Sequence, residues 1–162
     1  MLPKRPAAVK IVNLIDYLAG ESYILDRTVW VSPDERSRMA VIQRAENERH
    51  AMHGAVFTAL ASPSRGTRQT SLWRVEIQPG TPATPHQVTQ EEILVVTGGR
   101  ARVRIGADEA TAAPGDCIVV PADTTFALNV DGPEPLSALV CFPVGGRARL
   151  PDGAEFTPPW AQ

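Results

Sequence analysis

Residues 79–99 read Pro-Gly-Thr-Pro-Ala-Thr-Pro-His-Gln-Val-Thr-Gln-Glu-Glu-Ile-Leu-Val-Val-Thr-Gly-Gly. Pro79, Pro82 and Pro85 exclude a helix on the approach to His86, because each lacks an amide hydrogen and fixes φ. The apolar run at residues 93–96 has the length of a strand, and Gly98-Gly99 supplies a hairpin turn after it. No helical pattern follows those glycines, so they are not a phosphate loop. The stretch predicts loop, strand and turn, with one histidine and two adjacent carboxylates set into it. Adjacent strand residues face opposite ways, so Glu91 is the exposed neighbour of an inward Glu92.

The same texture extends on both sides. Gly54 and the segment AVFTALA are followed by a polar turn, and then by SLWRVEIQPG, in which Trp73, Val75 and Ile77 alternate with Arg74 and Glu76. That alternation predicts a strand with one buried face. Arg74, Arg102 and Arg104 are read as outward polar partners of buried residues. Further strand patterns lie at 101–105, 117–120, 126–130 and 136–142, separated by Gly106-Ala-Asp, Pro114-Gly115-Asp116, Pro121-Ala-Asp and Asp131-Gly132. Strands and turns alternating about every ten residues predict a sandwich or barrel. Composition agrees. The 15 prolines and 12 glycines make about a sixth of the 162 residues, against about 12% on average. So much proline disfavours a helical bundle, while 43% apolar residues are enough for a packed core.

The first 53 residues differ. Ile11, Leu14, Ile15 and Leu18 form a helical stripe ended at Gly20, and residues 27–31 (RTVWV) favour a strand. Ser32-Pro33-Asp34-Glu35 reads as a capping box for a charged helix running to His50, with a strand over 39–43 as the alternative. His50 and His53 are expected on the surface near its end. Cys117 and Cys141 are too few for a disulfide scaffold and are read as buried thiols. Phe156 and Trp160 predict that the proline-rich end packs on the rest of the chain. A net charge of −2, from 16 Lys+Arg against 18 Asp+Glu, gives no general electrostatic reason to bind nucleic acid or an anionic membrane. No run approaches the ~20 apolar residues of a membrane span. The N-terminal apolar segment is broken by Lys10, Asn13 and Asp16 and fails as a signal peptide, so a cytoplasmic location is expected.

Gly80, His86, Glu92 and Gly99 stand at the intervals of the first signature of the cupin superfamily, which this stretch resembles. Pro114-Gly115-Asp116 and then Pro121 to Phe126 resemble the second signature. The likeness covers about residues 54–146. It implies an all-β fold, the double-stranded β-helix or jelly-roll barrel of a single-domain cupin. The chain then divides into an N-terminal arm with one or two short helices (1–53), the barrel (54–146) and a C-terminal tail packed on it (147–162). The resemblance also implies a homodimer. The arm suits wrapping a partner, since its apolar stripe needs somewhere to bury.

Cupins that hold a metal typically use two histidines and the glutamate of the first signature and a histidine of the second. Here the second histidine of the first signature is Val88, that of the second is Phe126, and the nearby asparagine is displaced to Asn129. Only His86 and Glu92 remain of four ligands, short of the three that catalytic sites usually need. A third ligand would have to come from His50, His53 or a thiol. The motif is therefore read as degenerate, with no cofactor beyond a weakly held divalent metal at His86 and Glu92.

His86 and Glu92, sharing a hydrogen bond in an apolar cavity, would suit acid/base chemistry such as cyclisation, isomerisation or decarboxylation. Trp73, Val75, Val88, Leu94, Phe126 and Leu128 are the expected walls, and the resemblance implies a small, mostly apolar organic molecule of specialised metabolism as the ligand. The reading that remains beside this one places both polar residues solvated at the rim or bonded to backbone. Two other functions stay open, a ligand-binding or sensory module without catalysis and a metal oxygenase with an unusual ligand set.

Overall fold

A computed structural model describes residues 41–43 and 47–162. The helical stripe at 11–18, the strand at 27–31 and the capping box at 32–35 lie outside these residues. Twelve strands run in chain order: β1 (Arg49–Met52), β2 (Ala55–Ala61), β3 (Thr70–Ile77), β4 (Gln87–Val88), β5 (Glu92–Gly98), β6 (Ala101–Ile105), β7 (Asp108–Ala112), β8 (Cys117–Val120), β9 (Phe126–Val130), β10 (Leu136–Pro143), β11 (Ala148–Arg149) and β12 (Glu155–Phe156). Among the described residues the only helical pieces are single 3-10 turns at Pro63–Arg65 and Pro159–Ala161.

Six strands make one sheet in the order β1-β2-β3-β10-β5-β8, and two three-stranded sheets, β7-β6-β9 and β12-β11-β4, complete the fold. The small sheets are joined by one antiparallel bridge between His86 and Phe126. Both of its hydrogen bonds form, His86 N–H to the Phe126 carbonyl at 3.1 Å and Phe126 N–H to the His86 carbonyl at 2.9 Å. This is the all-β barrel that the alternating strands and turns predict.

The strands form where the sequence alternates. In β10, Leu136, Ala138, Val140 and Phe142 are buried on one face and Ser137, Leu139 and Cys141 point the other way. Burying one such large side chain stabilises the fold by roughly 1.5–3 kcal/mol. Trp73 of β3 and Leu94 of β5 lie opposite Val140 on either side of it, so three strands share one inward row. Residues of all three sheets meet in a single apolar core.

Three local readings are corrected. Arg49 and His50, expected to end a charged helix, pair instead with Thr58 and Phe57 of β2. Strand pairing wins because it satisfies backbone groups that an isolated polar helix would leave to water. His53, expected near a helix end, sits with Gly54 in the two-residue turn between β1 and β2, both at positive φ, as a type I′ hairpin requires. Cys117 and Cys141 are exposed rather than buried. Cys141 stands between inward Val140 and Phe142, and Cys117 opens β8 just before inward Ile118, so the period of two turns both to solvent.

Gly99, the last glycine of the quoted stretch, has φ +67° after the end of β5, and a Cβ there would overlap the Pro135 carbonyl. The C-terminal residues close the other side. Arg149 of β11 donates to Glu155 at 2.7 Å, to Asp123 at 2.9 Å and to Gln87 at 3.1 Å, tying β12, the turn before β9 and β4 together. Trp160 is buried, and the Ala161 carbonyl accepts from Ser71 Oγ at 2.9 Å.

Candidate functional site

The His86–Phe126 bridge sets the geometry of the site. Residues directly opposite in an antiparallel pair put their side chains on the same face. The His86 and Phe126 rings therefore lie side by side, 4.3 Å between centroids and tilted 53°. Val88, two residues beyond His86, faces the same way and is buried. Glu92 opens β5 from the facing sheet, on the inward side with Leu94 and Val96, while Glu91 is exposed.

All eight residues singled out from the sequence line one cavity of about 140 Å³: His86, Glu92, Trp73, Val75, Val88, Leu94, Phe126 and Leu128. For scale, an apolar cavity of roughly 150 Å³ holds a benzene ring. Exposed His53 and Pro82 mark its mouth, between the β1–β2 turn and the proline loop before His86. Sequence reasoning missed Phe57, Val140, Phe142 and Trp160 on its walls. Val140 and Phe142 were legible in the alternation of β10. Trp160 was legible only as a residue that packs, because nothing local says that the chain end returns to the barrel.

The polar residues are held differently from each other. The His86 Nδ1–H donates to the Thr84 carbonyl at 2.9 Å, which leaves Nε2 as the unprotonated nitrogen. Burial pushes the imidazole below its usual pKa, against the smaller upward pull of the Thr84 carbonyl, so the ring is neutral at pH 7. Glu92 is 7% exposed, and no hydrogen bond or ion pair reaches its carboxyl among the described residues. Burial alone pushes its pKa up to about 8, so the group is mainly a protonated acid at pH 7. The hydrogen bond expected between His86 and Glu92 does not form. The imidazole is committed to backbone, and the carboxyl faces the cavity unpartnered.

The donor set does not fit a tightly held divalent ion. Within the cavity wall only His86 Nε2 and the Glu92 carboxyl stand at depth, beside the buried Val88 and Phe126. Among the described residues no three His, Cys, Asp or Glu side chains gather. His50 does not line the cavity, and both thiols lie on the outward side of their strands. No described helix is long and apolar enough to cross a membrane.

Residues 73–142 match the family model described as a cupin domain. No curated protein sequence matches the chain. Among solved structures, the polyketide cyclase RemF from Streptomyces resistomycificus superposes with a TM-score of 0.60 at 17% identity, covering 75% of this chain and 89% of that one. A cupin 2 domain-containing protein from Halorhodospira halophila gives 0.57 at 21% identity over 64% and 74%. An RmlC-like cupin from Shewanella frigidimarina gives 0.55 at 14% identity over 63% and 87%. At such identities the likeness is one of fold.

Proposed function

From the premise that this chain is a member of the cupin superfamily, we propose that its barrel binds a small, mostly apolar organic molecule and performs acid/base chemistry on it without a full metal site. The observation that carries the reading is the Glu92 carboxyl, buried in an apolar cavity with no partner among the described residues. An unpaired buried polar group costs stability, so it is retained at a price that a ligand contact would offset. The cavity walls are mostly apolar, and a neutral acid and a neutral imidazole lining the same cavity suit proton transfer near pH 7.

The step is enolisation. His86 Nε2 takes a proton from the carbon next to a ligand carbonyl, and Glu92 gives its carboxyl proton to the carbonyl oxygen. The products are a neutral enol, an imidazolium and a carboxylate. Return of the two protons, to the same or a different carbon, restores both residues and gives exchange or isomerisation. The resulting enol is also the nucleophile that a ring-forming reaction needs. RemF is described as a polyketide cyclase, and the shared fold makes such carbon skeletons a reasonable class for this cavity.

Deuterium exchange tests the proposal without knowledge of the natural substrate. A small cyclic ketone such as cyclohexanone, held in heavy water with the protein, is expected to exchange its α-hydrogens in a saturable manner. The rate should fall above about pH 8 as Glu92 ionises and at acid pH as His86 protonates. Loss of at least ~100-fold in Glu92→Leu or His86→Phe is expected for an essential acid or base. Exchange no faster than buffer, with the ketone still bound, would leave a binding module in place of an enzyme.

A further inference from the structure

The rings on the cavity wall come from two kinds of place. Phe57, Trp73, Phe126 and Phe142 stand on β2, β3, β9 and β10, within the barrel. Trp160 follows the last strand, in the 3-10 turn at Pro159–Ala161, and is 5% exposed. Its ring lies flat on that of Phe57, with centroids 3.7 Å apart and planes within 6°, and meets that of Trp73 at 6.4 Å and 65°. The turn is fixed without help from the indole. The Ala161 N–H donates to the Pro158 carbonyl at 2.9 Å, and the Ala161 carbonyl accepts from buried Ser71 Oγ at 2.9 Å. The indole Nε1–H is itself buried and makes no hydrogen bond among the described residues. What the ring contributes is therefore packed volume.

The strand order gives that volume a position. Leu94 of β5 lies opposite Val140 of β10, Val140 opposite Trp73 of β3, and Trp73 opposite Ala59 of β2. Neighbouring strands are about 4.8 Å apart, so β3 stands roughly 10 Å and β2 roughly 14 Å across the sheet from the strand that carries Glu92. Phe57 and Trp160 thus close the cavity on the side away from the carboxyl. A ligand held at Glu92 and lying across the barrel ends against Trp160. A ring turned instead toward the mouth would meet exposed His53 and Pro82 and stay partly in water.

We infer that Trp160 is the size-determining residue of this cavity, and that it limits a ligand held at Glu92 to one ring. The cavity measures about 140 Å³, and an apolar cavity of roughly 150 Å³ holds a benzene ring. Indole is a fused two-ring group, so its removal opens room for a further ring beside Phe57 and Trp73. No strand is interrupted by the change, because Trp160 belongs to none. Trp73 and Phe142 also fill space, but they belong to strands whose pairing builds the sheet. The inference rests on the reading of the cavity as a ligand site, and it narrows that ligand to monocyclic compounds.

Two ketones test it, cyclohexanone with one ring and decalone with two fused rings. Calorimetric titration of the unsubstituted protein is expected to show cyclohexanone binding at least ~10-fold more tightly, since forcing a second ring into a filled space is unfavourable. Trp160→Leu should reverse the order, with decalone the tighter ligand by about tenfold, because its second ring then buries apolar carbon that cyclohexanone lacks. Trp160→Phe, which keeps a ring against Phe57, should shift the preference in the same direction by less, and it serves if the first variant fails to fold. Loosened packing alone would weaken both ketones alike, so the ratio of affinities is the readout. Binding is measured rather than exchange, which makes the result independent of the acid/base step. An unchanged ratio in both variants, with cyclohexanone bound, would overturn the size limit and leave the cavity reading intact. Failure of both ketones to bind any of the three proteins would overturn the cavity reading and the size limit with it.

Discussion

The two faces of the six-stranded sheet are built from the same strands and obey different rules. Inward, β5 presents Glu92, Leu94 and Val96, all buried, while outward it presents Ile93, Val95 and Thr97, partly or wholly exposed. Next to it, β8 turns Ile118 and Val120 in and Cys117 and Val119 out, and Val119 is 48% exposed. The outer face is as apolar at several positions as the inner, so hydrophobicity alone does not separate them. The difference is that the inner face has a second sheet against it. There a single carboxyl changes its chemistry, while the carboxyl of Glu91, one residue away, stays in water.

Packing gives the largest test of this contrast. Phe142 is 1% exposed and meets Trp73 edge-on, with centroids 6.1 Å apart. Phe142→Ala is expected to destabilise the protein by about 3–5 kcal/mol in urea unfolding, the range for a fully buried aromatic. A loss below about 1 kcal/mol would mean that the inner face is not closed by its facing sheet.

The next effect belongs to Glu92 and has a definite sign. Its folded pKa, about 8, lies above the ordinary value of 4.5. Below pH 4.5 both folded and unfolded forms hold the proton. As pH rises from 4.5 to 8 the unfolded chain releases it first, so stability falls across that window and levels off above it. Glu92→Gln should abolish most of this slope and be the more stable protein at pH 8 by roughly 3 kcal/mol, somewhat less than the full linkage because the amide is also buried. Parallel stability–pH curves for the two proteins would show that Glu92 reaches water.

His86 acts in the opposite direction. Burial holds its folded pKa below 6.5, so the unfolded chain takes up a proton first as pH falls. Stability from this group is present above 6.5 and is lost as pH falls toward the folded value. His86→Phe should remove that acid-side loss, read as a flatter melting temperature below pH 6.5. A variant as acid-sensitive as the parent would assign the loss to other groups.

The smallest effects are expected outside. Val119→Thr and Cys141→Ser should change stability by no more than about 0.5 kcal/mol. Cys117 and Cys141 should both react with a thiol reagent in the native protein, as their exposure requires. Thiols that react only after unfolding would show that a second copy or the N-terminal residues cover this face.

Much of this contrast is legible in the sequence. Trp73, Val75 and Ile77 announced a strand by alternation, and the glycines and prolines between apolar runs marked the turns. His86 and Glu92 stood out because their spacing matched a known signature. Strand β7 was missed because Asp108–Ala112 has one buried residue and no apolar alternation. The thiols were misread because a short apolar run hides which of its residues faces out. The expected His86–Glu92 hydrogen bond failed for a similar reason, since spacing along a chain does not reveal that a ring nitrogen will find the Thr84 carbonyl first.

The sequence by itself determined the strand periodicity, the turn positions and the identities of the residues at the signature positions, because these depend on neighbours a few residues apart. Only the tertiary structure decided which groups lose water and which remain unpartnered. Glu92 becomes an acid near pH 8 because sheets far apart in the chain close over it. Trp160 becomes a cavity wall because the C-terminal turn packs beside Phe57 and Trp73. Desolvation is a property of the whole surrounding volume, and no local pattern encodes it.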